Sequence, residues 1–155
     1  MRKVAAFLSL SLAVAACGGN PNNVSTFGYD DDGTTFMEVG PVLTRGLKPG
    51  CWFGEGSAFP DYAYNGDLQN VGDTTRSVRV YTVERATGEG TPLLIVTRFY
   101  RNAATGRMSF SGVVGVRKGD AANPDVPAVT ARVRTDYENY RETGELPCTD
   151  LQQTG

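Results

Sequence analysis

The sequence predicts a mainly β, α+β domain. It takes the form of an antiparallel meander, open or closed into a small barrel-like sheet, with one C-terminal helix packed on it. Three observations carry this. The middle of the chain holds three runs with strand patterning, separated by short stretches of turn residues. The composition, 19 Gly and 8 Pro in 155 residues, suits short strands and tight turns. One late segment has helix spacing with a start signal and a stop signal at its ends.

The strands come first. Ser77 to Arg85 is dense in β-branched residues and alternates at Val78, Val80 and Thr82. Pro92 to Arg101 carries Leu-Leu-Ile-Val-Thr-Arg-Phe-Tyr, an almost continuous apolar run, and Arg107 to Arg117 places Met108, Phe110, Gly112, Val114 and Val116 on one face. Between them lie Ala86-Thr87-Gly88-Glu89-Gly90 and Asn102-Ala103-Ala104-Thr105-Gly106, both rich in turn residues. Connections this short join antiparallel neighbours. Upstream, Thr34 to Val39 reads as a further strand opened by a turn at Asp32-Gly33, and Cys51 to Gly72 reads as loop.

Val126 to Thr143 is periodic in two ways. Val129, Ala131, Val133, Thr135 and Tyr137 alternate as in a strand; Val126, Val129, Val133, Tyr137 and Tyr140 line one face of a helix. Asp125 before Val126-Pro127 is a helix start, and Gly144 with Pro147 is a stop. The ends select the helix.

The N-terminus carries an address. Arg2 and Lys3 precede an apolar run from Val4 to Ala16, which is shorter than the roughly 20 residues a spanning helix needs and fits the core of a signal peptide. It closes on Val14-Ala15-Ala16-Cys17. This segment resembles the lipobox of bacterial lipoprotein precursors, an aliphatic residue and two small residues before a cysteine. The resemblance implies lipidation of Cys17, cleavage before it and a membrane anchor. The chain then divides into a signal peptide over residues 1–16, a lipidated cysteine with flexible tether over 17–26, and one β-rich domain over 27–155. Gly18 follows the cysteine where the enteric retention signal would have aspartate. That implies the outer membrane, facing the periplasm, in a Gram-negative host.

With Cys17 assigned to lipid, two of the three cysteines remain. Export to an oxidising compartment makes Cys51 and Cys148 a disulfide pair. The loop it closes, of roughly 100 residues, gives about 4 to 5 kcal/mol on the chain-entropy account.

Composition excludes several functions. The chain holds 15 basic and 17 acidic residues, and loss of Arg2 and Lys3 leaves 13 against 17, a net of −4. No basic tract marks a nucleic-acid surface. The chain has no histidine, which removes the usual general base near neutral pH and the commonest metal ligand. Asp30-Asp31-Asp32-Gly33 lacks the alternation of a calcium loop, and Glu38 comes too early to close one. No cofactor, metal or catalytic residue is assigned.

One stretch remains as a candidate binding surface: Trp52, Phe53, Phe59, Tyr62 and Tyr64, in a loop that the disulfide would fix. The competing reading puts Trp52 and Phe53 in the core, where large aromatics usually lie. The function expected is a non-enzymatic envelope lipoprotein, a binding or structural module for an unidentified envelope partner. The alternatives are a small hydrolase using carboxylates such as Glu55 and Asp61, and a prophage- or plasmid-borne surface lipoprotein.

Overall fold

The computed structural model describes residues 24–29, 35–72 and 76–149. The signal segment, Cys17, the first part of the tether and the Asp30 to Gly33 turn lie outside the described residues. The domain is α+β: a five-stranded antiparallel sheet of order β1-β5-β4-β3-β2 with two helices.

The expected meander forms. β3 (Arg76–Arg85), β4 (Leu93–Arg101) and β5 (Met108–Gly115) are joined in sequence, with Val80 opposite Val96 and Val96 opposite Val113. β1 (Val24–Tyr29) pairs with β5 from Val24↔Gly115 to Tyr29↔Phe110, so the sheet already begins inside the stretch expected to be tether.

Two expectations are corrected. Residues read as loop between Cys51 and Gly72 include a full strand, β2 (Tyr62–Gly72), paired with β3. Its register shifts between Tyr64 and Leu68, and Gly66 there takes a left-handed φ of 80°. The Asn-Gly-Asp composition that suggested a loop is the chemistry of that irregularity. Of the strand expected at Thr34 to Val39, Thr34 lies outside the described residues and Phe36 to Val39 are instead the start of helix α1 (Phe36–Gly46). The backbone N–H and hydroxyl of Thr35 donate to the Glu38 carboxylate at 2.6 and 2.8 Å, closing the first turn. Val39, Val42, Leu43 and Gly46 are buried, which is helical spacing.

Helix α2 (Val126–Thr143) runs as the end signals predict, with Gly144 as a left-handed C-cap at φ 77°. It buries Val126, Val129, Val133 and Tyr137. It packs on β1 and β5, and Tyr137 stacks on Phe110 with ring centroids 5.1 Å apart. The inner face of β4 is fully alternating: Leu93, Ile95, Thr97 and Phe99 are buried, while Leu94, Val96 and Arg98 are half-buried on the other face. The core lies between the inner face and the helices.

Candidate functional site: a groove beside the disulfide

The aromatic stretch is interior, which corrects the binding-surface reading for most of it. Trp52, Phe53 and Tyr62 are buried at 0%, 1% and 3% exposure. Phe59 and Tyr64 are half-buried at the core's margin, Phe59 against Phe53 and Tyr64 tilted against Tyr81.

Trp52 joins the two helices. Its backbone N–H donates to the Gly46 carbonyl at 3.0 Å, and its indole lies on Gly46, where the missing Cβ leaves room. Indole Nε1–H donates to Asp136 Oδ2 of α2 at 2.6 Å, and Arg132 Nε donates to the same oxygen at 2.9 Å. A buried indole needs an acceptor, and a half-neutralised carboxylate is a strong one.

Tyr62 anchors the other end of α2. Its hydroxyl donates to Asp125 Oδ2 at 2.7 Å, and Asn123 Nδ2 donates to that hydroxyl at 3.0 Å. Arg85 pairs with Asp125 at 3.1 Å and stacks over the Tyr62 ring, 5.0 Å from its centroid. Burial, reinforced by the hydrogen bond to Asp125, raises the Tyr62 pKa above its ordinary value. This cluster is a structural clamp around the start of α2.

Cys51 and Cys148 are bonded, with Cα atoms 5.5 Å apart. The bond is reinforced by cations. Arg45 Nη2 donates to the Cys148 carbonyl at 2.7 Å, its Nε to the Pro147 carbonyl at 3.4 Å, and Arg132 Nη2 reaches Cys148 Sγ at 3.8 Å. These contacts hold the segment after α2 beside α1.

A groove of about 670 Å³ opens between them. Gly40, Pro41, Thr44 and Arg45 of α1 line one side, and Gly144, Glu145, Leu146 and Thr149 line the other, with Met37 and Lys48 at its ends. Met37 is 80% exposed and Leu146 37%. Pro41 sits inside α1 and has no N–H, so the Met37 carbonyl lacks its i+4 helical donor. The groove therefore offers apolar side chains and the cations Arg45 and Lys48 against the single acid Glu145.

Comparison with family models, curated proteins and solved structures gives no match. The chemistry must therefore be read from the groove itself. It can hold an apolar group and orient a polar one, which is recognition chemistry. Among the described residues, no group of three or more His, Cys, Asp and Glu could hold a metal. The Glu55 and Asp61 side of the hydrolase alternative lies on exposed loop outside the groove. None of the groove residues was singled out from sequence. The signal that could have found them is the Thr35-x-x-Glu38 capping pair. Read as a helix start, it leaves Met37 and Pro41 on the face opposite Val39, Val42 and Leu43.

Proposed function

We propose that this chain is a cell-envelope lipoprotein, cleaved before Cys17 and anchored by lipid on that residue. In a Gram-negative host it works at the periplasmic face of the outer membrane as a non-enzymatic binding module. The observation that carries this reading is Val14-Ala15-Ala16-Cys17 closing a short apolar run behind Arg2 and Lys3. The Cys51–Cys148 bond supports it, because disulfides persist in oxidising compartments outside the cytoplasm. The groove supports the binding role: its partner presents an apolar side chain with an acidic group, matched to Leu146, Met37, Lys48 and Arg45.

Metabolic labelling of the expressing bacterium with a palmitate analogue tests the anchor. The wild-type chain takes up label and fractionates with membrane, while Cys17→Ala stays unlabelled and uncleaved. A soluble, unlabelled wild-type protein would refute the proposal. Crosslinking of the native lipidated protein tests the role: a partner lost on Met37→Glu and Leu146→Glu supports the groove. Turnover of peptidoglycan, glycosides or esters, abolished by changing one carboxylate or serine, refutes the non-enzymatic reading.

A further inference from the structure

The outer face of the sheet departs from the pattern of a water-facing one. An antiparallel sheet with one solvated face places polar residues outward. Here the residues facing away from the helices include Val78 and Val80 of β3, Leu94 and Val96 of β4, and Val113 of β5, all half-buried. Val80, Val96 and Val113 stand in register across three adjacent strands, which makes a continuous apolar row. No helix lies over it among the described residues.

Charge is distributed asymmetrically about this row. Arg98 lies beyond it at one end, paired in register with Val78 and Ser111. Glu84 lies at the opposite end, beyond Thr82, where Asp120 and Arg117 share its small depression and leave that end acidic by one charge. Neither Arg98 nor Glu84 has an ion pair among the described residues.

We infer that the outer sheet face is a homodimer interface, covered by the same face of a second copy. A two-fold axis in the interface, running across the strands, stacks one apolar row on the other. The same axis brings the Arg98 end of each copy onto the Glu84 end of the other. With row stacked on row, Arg98 stands two residues from the row and Glu84 four residues from it on the other side, on neighbouring strands. The two are offset by about 7 Å along the strands and about 4.8 Å sideways, a gap that extended Arg and Glu side chains close together. Each charge pair therefore occurs twice, as an isologous contact requires. Two sheets stacked this way form a sandwich about 10 Å thick, with side chains of both inner faces interdigitated. Five strands and the 8 residues of β5 give a face of about 650 Å², so the pair buries roughly 1,300 Å², within the range of stable interfaces.

The test places a photo-crosslinking benzoylphenylalanine at Val96 in the full chain, expressed in a bacterium. Irradiation should give a species of twice the protomer mass, with the crosslink mapping to outer-face residues of β3, β4 or β5. The same probe at Met37, on the opposite side of the molecule, should give none of this species. Arg98→Glu and Glu84→Arg should each reduce the crosslinked dimer about tenfold, since each reversal acts twice by symmetry, and the double reversal should restore it. A Val96 probe that yields no dimer, yields only crosslinks to other proteins, or yields a dimer indifferent to charge reversal would overturn the inference.

Discussion

Replacing Gly46 by alanine reverses the usual sign of a helix substitution. In an open helical position alanine is favoured over glycine by about 1 kcal/mol, because it restricts the unfolded chain. Gly46 closes α1 with no left-handed φ, so propensity alone predicts a gain. A Cβ there, however, would overlap Cε2, Cδ2 and Cζ2 of the Trp52 indole. The indole cannot simply slide. Its own backbone is tied to the Gly46 carbonyl at 3.0 Å and its Nε1 to Asp136 at 2.6 Å. Overpacking of this kind costs about 1 to 3 kcal/mol, and weakening the buried Trp52–Asp136 bond adds about 1 to 3 more. Set against the propensity gain, the net loss is about 1 to 5 kcal/mol. That lowers the melting temperature by about 4 to 20 °C for a domain of this size. The measurement is urea unfolding of the oxidised chain followed by fluorescence, for which Trp52 is the single reporter. A midpoint equal to or above the wild type would refute the packing argument.

Three further outcomes follow from the same contacts. Cys51→Ser and Cys148→Ser should each cost about 2 to 5 kcal/mol, and the double variant little more, since either removes the same 97-residue closure; urea midpoints with and without reductant measure it. Asp136→Ala should cost about 2 to 4 kcal/mol, because Trp52 Nε1 and Arg132 lose their shared acceptor; a loss under 1 kcal/mol contradicts the role given to that carboxylate. Burial raises the pKa values of both Tyr62 and Tyr81 above 10.0 in the folded state. The folded chain thus holds these protons more tightly than the unfolded one. The associated stability is complete below pH 10 and is lost as pH rises through the folded values. Tyr62→Phe should flatten that alkaline decline, and identical pH profiles for variant and wild type would contradict it.

The elements legible in the sequence are those whose local pattern and final packing agree. β3 to β5 alternate because one face meets the helices, and α2 was decided by Asp125 and Gly144 at its ends. The cysteine pairing followed from elimination. α1 was misread because Thr34 to Val39 is short and β-branched at both ends, with Gly40 and Pro41 following as apparent breakers. The Thr35–Glu38 capping pair outweighs them. β2 was hidden by its own irregularity at Gly66. The aromatic stretch was visible, but its direction was not. Whether Trp52 faces water or core depends on Gly46 and Asp136, which lie on separate helices and share no local pattern with it. The groove is invisible for a similar reason, since its two walls are about 100 residues apart and meet through the disulfide and the Arg45 hydrogen bonds to the Pro147 and Cys148 carbonyls.

The Cys51–Cys148 bond also fixes which parts of the chain a protease could release. β2, β3, β4, β5 and α2 all lie between the two cysteines, inside one covalent ring, whereas β1 and α1 lie outside it. The exposed hairpin turns at Thr87 to Gly90 and Ala103 to Gly106 offer cutting points inside the ring. A single cut at either leaves both fragments joined through sulfur. The strands also remain paired, so the nicked molecule keeps its sheet. Damage of that kind accumulates unseen on a non-reducing gel and becomes visible only when the sulfur bridge is opened. A cut between β1 and α1 has no such protection: it ends the covalent link between the ring and β1, which is then held only non-covalently, through its pairing with β5.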